Sequence, residues 1–188
     1  YAPIFFKQAK YTLLDQNTFW LCEKPDSVGM VGWDAALTRI ATWVKLQDKK
    51  TGQILMVVNT HFDHIGTEAR RNSALLIIEK IKEIVGTSPA ILTGDFNVSE
   101  DWDAYKTITN NEFILKDAHK VAGKRTGVDF TYHNFGKIPA EKCEKIDFIF
   151  VTPQIRVISS YIPFSQLNDT LFLSDHNPEI VELEIEKS

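Results

Sequence analysis

Three stretches of this chain are apolar over consecutive positions, without the alternation that marks a half-exposed strand. They are Ile54–Val58, the first three residues of the strand predicted at Ala90–Gly94, and Ile146–Val151, and only Asp147 interrupts the last of them. Unbroken apolar runs of this length are typical of strands covered on both faces, because side chains on both sides of the strand then avoid water. The pattern therefore predicts central, buried strands of a sheet.

One long helix is predicted between the first two of these strands. From Glu68 to Val85 the apolar residues recur at helical spacing, the other face carries charges such as Glu79 and Lys82, and Gly86 ends the pattern. A second, short helix is predicted from Ser99 to about Thr109, because acidic residues follow the serine in its first turn.

The remaining elements follow from shorter patterns. The turn residues Lys49–Gly52 predict a hairpin between the strands on either side of them. The polar segment Asp117–Arg125 is predicted to be a loop. Further strands are predicted at residues 4–6, 10–19, 41–48, 126–132, 155–162 and 179–185. Strands that alternate with two helices in this order predict one mixed α/β domain over residues 1–188.

Composition narrows the class of protein. The chain has 188 residues, of which 44% are hydrophobic and 24% are charged, as expected for a soluble globular domain with a full core. The formal net charge of −4 does not favour a protein that holds nucleic acid by bulk electrostatics. It leaves a nuclease open, because a bound divalent metal ion supplies positive charge locally. No apolar run approaches the roughly 18 residues needed to span a bilayer.

Other general properties stay open from the sequence. Cys22 and Cys143 lie far apart and are expected to be isolated thiols, so they decide nothing about the redox compartment. The compartment and the oligomeric state are not determined.

The candidate chemistry begins at Gly94-Asp95-Phe96-Asn97, where an apolar strand ends in polar residues. If the backbone stays extended, Asp95 and Asn97 point to one side and Phe96 points into the core. Two oxygen-bearing side chains on one side of a strand end suit a hard metal ion or a phosphoryl group. An ordinary strand-to-turn junction has the same composition, so this segment alone leaves both interpretations open.

Three other strand ends carry complementary groups. His61 follows the first apolar strand, Asp147 lies in the third, and Asp175 and His176 precede the last predicted strand. An acid inside an apolar strand needs a partner, and His176 is the natural one, because a carboxylate fixes the tautomer of an imidazole and raises its basicity. Zinc binding by His61 and His64 is an alternative that their position outside any helix disfavours.

Three motifs together resemble the endonuclease/exonuclease/phosphatase superfamily, which includes pancreatic deoxyribonuclease, bacterial sphingomyelinases and inositol-polyphosphate 5-phosphatases. They are Gly94-Asp95-Phe96-Asn97, Lys145-Ile146-Asp147-Phe148-Ile149 and Ser174-Asp175-His176-Asn177-Pro178. Asn59-Thr60-His61 lies where that family has a phosphate-contacting histidine. The resemblance implies a four-layer α/β sandwich in which two mixed β-sheets pack face to face between helices.

The resemblance also implies a role for each candidate residue. His176 would face the scissile phosphate with Asp147 orienting it, and Asp95 would position or deprotonate the attacking water. The other roles implied are phosphate contacts from Arg39, His61 and Asn97, and a metal contact from Asp175. The implied cofactor is Mg²⁺, with Mn²⁺ as the alternative.

One departure from the family pattern affects the expected activity. Family members begin with strands that end in an asparagine and in a Gln-Glu pair, and the glutamate is the principal metal ligand; this sequence has neither. The resemblance thus predicts the C-terminal portion of the domain, lacking its first strands and that glutamate.

Several functions consequently stay open. The leading hypothesis is a metal-dependent phosphoesterase acting on a phosphodiester or phosphomonoester, either in nucleic acid or in a small molecule or lipid. The alternatives are a non-catalytic binding or scaffold domain that keeps the fold, and an inactive fragment. A two-metal phosphatase of the calcineurin type is set aside, because the second acid of its Gly-Asp-x-x-Asp motif is absent after Asp95.

Overall fold

The computed structural model describes residues 1–86, 88–110, 115–168 and 171–185. Within them the strands are β1 (Tyr11–Trp20), β2 (Ile40–Asp48), β3 (Ile54–His61), β4 (Ala90–Asp95), β5 (Lys116–Asp117), β6 (Lys124–Gly127), β7 (Asp147–Val151), β8 (Ile155–Ile162), β9 (Gln166–Asn168), β10 (Leu171–Phe172) and β11 (Ile180–Ile185). The helices are α1 (Thr67–Val85), α2 (Asp103–Thr109) and α3 (Ala118–Val121), and a 3₁₀ turn covers Ala140–Lys142.

Two mixed sheets organise the described residues. The larger has the strand order β1-β2-β3-β4-β7-β5, in which β3 and β4 are parallel and the other neighbours are antiparallel. The smaller has the order β11-β8-β6, with β8 antiparallel to β11 and parallel to β6. Strands β9 and β10 form a separate hairpin.

The central strands of the larger sheet are covered on both faces. Ala90 and Leu92 on β4 belong to the core cluster that includes α1 and α2, whereas Ile91 between them packs with the cluster that includes β8 and β11. On β7, Phe150 and Ile149 divide between the same two clusters. The sandwich therefore consists of helices, the larger sheet and the smaller sheet. The predicted mixed α/β fold, with central strands covered on both faces, is confirmed.

Helix α1 forms where its pattern predicts it. Ile77 and Ile81 are almost completely buried, Glu79 and Lys82 face solvent, and Gly86 follows with a positive φ of 59°. A left-handed conformation at this position favours glycine, which explains why the helix ends there. The hairpin predicted between residues 41 and 62 is also present, as β2 and β3.

Other local predictions are wrong. Residues 4–6 are not a strand, and the short helix begins at Asp103 instead of Ser99. The segment 117–125, predicted to be a loop, forms α3 and the start of β6. Its composition is polar, but the Asp117 carboxylate caps α3 by accepting from the His119 backbone N–H, and Ala118 is fully buried against the smaller sheet.

The strand predicted over residues 126–132 is also wrong, because β6 ends at Gly127. Gly127 has a φ of 93°, and a Cβ there would lie 2.0 Å from the Ile162 carbonyl oxygen. The close approach to β8 requires a glycine, and its left-handed backbone ends the strand. No helix among the described residues has the length and apolar character needed to cross a membrane.

Candidate active site

Three neighbouring strands bring polar residues to the same edge of the larger sheet. His61 ends β3 and is paired in register with Asp95 at the end of the parallel strand β4. Asp147 begins β7, which runs antiparallel to β4, and is in register with Asp95. The start of β7 therefore meets the ends of β3 and β4, and His61, Asp95 and Asp147 form a row across three strands.

His176 joins this row from the turn before β11, on the smaller sheet. Its Nδ1 lies 2.7 Å from Asp147 Oδ2, and its Nε2 lies 4.0 Å from Asp95 Oδ2. On the other side, His61 Nε2 is 3.4 Å from the same Asp95 oxygen. Asp95, Asp147 and His176 each offer a ligand atom within 4.8 Å of the others.

Proximity and burial shift the pKa values of this group in different directions. Burial and the neighbouring Asp147 carboxylate raise the pKa of Asp95 to about 6. The hydrogen bond to Asp147 raises the pKa of His176. Burial, followed by the positive charge of Arg39, lowers the pKa of His61 to about 4. Near neutral pH, His61 is thus neutral. Asp95 keeps its proton to a higher pH than an ordinary aspartate does, and His176 keeps its proton to a higher pH than an ordinary histidine does.

The backbone of the Gly94-Asp95-Phe96-Asn97 segment differs from the extended conformation that the sequence suggested. Asn97 has a positive φ of 50°, its N–H donates to Asp95 Oδ1 at 2.9 Å, and its Nδ2 donates to the Phe62 carbonyl at 3.0 Å. Phe96 is fully buried, as expected. The segment is therefore a turn, and its Asp95 lies in register with His61 and Asp147 on the neighbouring strands.

Gly94 allows the two parallel strands to approach at this point. A Cβ at Gly94 would lie 2.3 Å from the carbonyl oxygen of Thr60 on β3. Since no side chain fits there, the glycine sets the spacing between His61 and Asp95.

Arg39 is held beside the row by a residue that the sequence did not single out. The Asp63 carboxylate is completely buried and accepts a hydrogen bond from Arg39 Nε at 3.4 Å. It also accepts backbone N–H groups from Gly66 at 2.8 Å and Ala36 at 3.1 Å. Although burial alone raises it, the pKa of Asp63 is held well below its usual range by these donors. Arg39 Nη2 contacts His64 Nδ1 at 3.1 Å, so His64 belongs to this arginine contact and not to the metal-ligand group.

Asp175 differs from the other candidates in its placement. Its carbonyl oxygen accepts the N–H groups of His133 and Asn134, and its carboxylate accepts the Ser174 hydroxyl at 3.3 Å. Among the described residues, the group able to hold a metal ion comprises Asp95, Asp147 and His176, without Asp175.

Thr131 is a further residue that sequence reasoning missed. It is fully buried, and its hydroxyl accepts the N–H groups of Ile146 and Asp147, both at 3.0 Å. Its carbonyl accepts the Asn177 N–H at 2.6 Å. Thr131 therefore lies between the segments that carry Asp147 and His176. An uncharged hydroxyl gives no sequence signal for such a contact.

The row members His61, Asp95 and Asp147 line a cleft of about 390 Å³. Its other lining residues include Asn59, Thr93 and Glu179. A half-buried imidazole that is hydrogen-bonded to one carboxylate and lies near a second carboxylate can exchange a proton at a bound substrate. The two carboxylates also present oxygen donors to the same space, which suits a hard divalent cation.

This chain is similar in sequence and fold to several known proteins. The family model described as Endonuclease/Exonuclease/phosphatase family matches residues 6–176. The crystal structure of the endonuclease/exonuclease/phosphatase from Bacteroides vulgatus is 64% identical with a TM-score of 0.92, and the match covers 96% of this chain and 69% of that chain. A mannosyl-6-phosphatase from Bacteroides thetaiotaomicron is 34% identical with a TM-score of 0.87, over 96% of this chain and 69% of that chain.

Among curated proteins, an uncharacterized protein of Acanthamoeba polyphaga mimivirus is 30% identical over 175 residues. The match covers 88% of this chain and 63% of the viral protein, so this chain spans less than two thirds of that relative's length.

Proposed function

The chain belongs to the endonuclease/exonuclease/phosphatase family, and from this premise we propose that it hydrolyses phosphoric esters with the help of a divalent metal ion. The observation that carries the proposal is the contact of 2.7 Å between His176 Nδ1 and Asp147 Oδ2, with Asp95 on the other side of the imidazole. A positioned imidazole between two carboxylates is suited to displacement at phosphorus by water.

In this proposal each member of the row has a separate task. Asp147 orients the His176 ring and stabilises its protonated form, which offsets negative charge that develops on the phosphoryl group. Asp95, whose pKa is about 6, is largely ionised at neutral pH and accepts a proton from the attacking water.

In the proposal, the phosphate oxygens are bound by His61 of this row and by two residues beside it. Arg39 supplies a fixed positive charge that Asp63 holds in place. His61 is neutral because its pKa is lowered to about 4, so it acts as a hydrogen-bond donor and not as a cation. Asn97 completes the phosphate contacts from the turn after β4.

The donor set fits a divalent cation such as Mg²⁺ or Mn²⁺. Asp95 and Asp147 would hold it, with Asp175 as a further candidate. Burial and then the Asp147 carboxylate raise the pKa of Asp95, and a cation would relieve the repulsion between these two carboxylates. When bound, such an ion polarises the phosphoryl oxygens and neutralises charge on the leaving group.

We favour a phosphorylated sugar as the substrate over nucleic acid. A relative that is 34% identical is a mannosyl-6-phosphatase, and the net charge of −4 gives no bulk attraction to a polyanion. Since one fold supports several phosphoester chemistries, this substrate class is a proposal that assays must decide.

The test is a substrate panel with the full-length protein, in Mg²⁺, in Mn²⁺ and after chelation. The panel contains mannose 6-phosphate, inositol phosphates, sphingomyelin, DNA, RNA and a bis-aryl phosphodiester. We expect metal-dependent release of phosphate from mannose 6-phosphate that His176→Ala and Asp95→Ala abolish, whereas Lys82→Gln on the exposed face of α1 leaves it unchanged.

Each other outcome has a defined meaning. Full activity in both site variants would exclude the proposed mechanism. Hydrolysis of DNA or RNA in preference to the sugar phosphate would replace the substrate class. Absence of both hydrolysis and calorimetric Mg²⁺ or Mn²⁺ binding would favour the non-catalytic binding domain.

A further inference from the structure

The two residues whose contact carries the proposed function lie on segments that lead into different sheets. Asp147 begins β7 in the larger sheet, whereas His176 lies in the turn that leads into β11 of the smaller sheet. The contact of 2.7 Å between them therefore depends on how the two sheets are fastened near the cleft.

Lys145 provides one half of such a fastening. Its side chain is 5% exposed, and its Nζ donates to the backbone carbonyl of Asp147 at 2.8 Å. The ammonium also lies 3.9 Å from the centre of the Phe148 ring. Lys145 is thus fixed to the first two residues of β7, on the larger sheet.

Glu179 provides the other half. It follows His176 by three residues, its side chain is 3% exposed, and its Oε2 lies 2.9 Å from Lys145 Nζ. Its Oε1 accepts the hydroxyl of Ser160, a residue of β8, at 3.4 Å. Glu179 is thus anchored on the smaller sheet, so the ion pair connects the segment of Asp147 with the segment of His176.

The location of this pair is costly, which argues against a role in stability alone. Both charged groups are removed from water, and burial raises the pKa of Glu179 although the ammonium beside it opposes the shift. Buried ion pairs contribute little net stability compared with apolar residues of similar size, but they do fix geometry in some proteins.

We propose that Lys145 and Glu179 are positioning residues that set the distance between Asp147 and His176 across the two sheets. They act through Asp147 and His176. The Glu179 carboxylate also borders the cleft, where Lys145 holds it in place. The inference rests on the proposed function for its effect on catalysis, but the geometric part stands independently of the substrate.

The decisive variant replaces both charges together. Either single change, Lys145→Met or Glu179→Leu, leaves an uncompensated buried charge and is expected to lower the melting temperature. The double variant leaves neither charge, so it is expected to melt close to the wild-type temperature. This separates a loss of positioning from a loss of folding.

With the full-length protein and the substrate that the panel identifies, we expect the double variant to lose about 10- to 100-fold in kcat, as misplaced catalytic groups do, while KM changes by less than about twofold. Lys145→Arg keeps the charge and is expected to retain most of the activity. A double variant that folds and has wild-type kcat would overturn the proposal.

A second readout does not require activity. The His176 Nδ1 proton, hydrogen-bonded to Asp147, is expected to give a downfield proton resonance in the wild-type protein, assigned by its loss in Asp147→Asn. The double variant should shift this resonance upfield or lose it. An unchanged resonance in the folded double variant would refute the positioning role, whether or not the wild-type protein is active. If the resonance changes but the wild-type protein has no activity, only the proposed function is refuted.

Discussion

The Nδ1 atom of His176 lies 2.7 Å from Oδ2 of Asp147, although Asp147 begins a strand of the larger sheet and His176 precedes a strand of the smaller sheet, 29 positions further along the chain. This contact raises the pKa of the imidazole and fixes Nε2 as the ring nitrogen on the side of Asp95. Because Asp95 lies on the far side of the same ring, a change in this one contact affects the entire row.

Asp147→Asn is expected to lower kcat by about 10²- to 10⁴-fold, because an amide can neither stabilise the imidazolium nor enforce the same tautomer. Steady-state kinetics of the full-length protein measure this effect. Asp15→Asn, which changes an exposed acid on β1, is the matched control and should leave kcat unchanged. Wild-type kcat in Asp147→Asn would contradict the role proposed for this residue.

The two histidines of the row are expected to titrate on opposite sides of pH 6.5. Burial lowers the pKa of His61 to about 4, so it loses its proton well below neutrality, whereas the bond to Asp147 keeps His176 protonated to a pH above its ordinary value. NMR titration of the imidazole carbons in the metal-free protein measures both values. Asp147→Asn should bring the pKa of His176 down, and a His61 pKa near 6.5 would show that this residue is not desolvated.

Thr131→Val is expected to destabilise the fold by about 1–3 kcal/mol, because it removes the acceptor from two partly buried N–H groups. It should also lower kcat, since those groups belong to Ile146 and Asp147. Thr131→Ser keeps the hydroxyl and serves as the control. Chemical denaturation gives the stability, and equal stability of the valine and serine variants would argue against the hydrogen bonds.

Asp63→Asn is expected to raise KM, because an amide no longer holds the guanidinium of Arg39 by charge. The amide nitrogen would also face backbone N–H groups that now donate to the carboxylate, which should destabilise the fold by about 1–3 kcal/mol or more. Asp26→Asn in the exposed loop after β1 is the comparison variant. An unchanged KM would mean that Arg39 does not need this anchor.

Phe96→Ala is expected to lower the free energy of unfolding by about 3–5 kcal/mol, since the ring is completely buried and leaves a cavity. The ring packs edge-on against Phe62 at 4.8 Å and Phe150 at 5.2 Å. Phe135→Ala, at an exposed position, is the control and should change the free energy of unfolding little. A loss below 1 kcal/mol in denaturant unfolding would contradict the importance of this core contact.

The sequence by itself determined which segments are buried and which polar residues lie at their ends. Continuous apolar runs such as Ile54–Val58 predicted strands covered on both faces, because both sides of such a strand avoid water. The helical spacing of apolar residues predicted α1, because only one face of that helix is buried. The motifs around Asp95, Asp147 and His176 also identified the family, since these residue types recur in a fixed order along the chain.

Tertiary structure decided which of these groups meet. The order of the strands places β7 beside β4 with opposite direction, so the start of one strand meets the end of the other and Asp147 lies opposite Asp95. The left-handed turn at Asn97 and the close approach at Gly94 also depend on a neighbouring strand. Local sequence patterns carry no information about such pairings, because a strand's period is the same whichever neighbour it has.

The residues that hold the catalytic segments in place show most clearly what local sequence patterns cannot predict. Asp63, Thr131, Lys145 and Glu179 have the composition of surface residues, and they are buried only because elements distant in sequence surround them. Whether a charge or a hydroxyl is solvated or holds a catalytic segment depends on what packs against it. The sequence thus determined the chemistry available to this protein, and the packing of one sheet on the other decided its geometry.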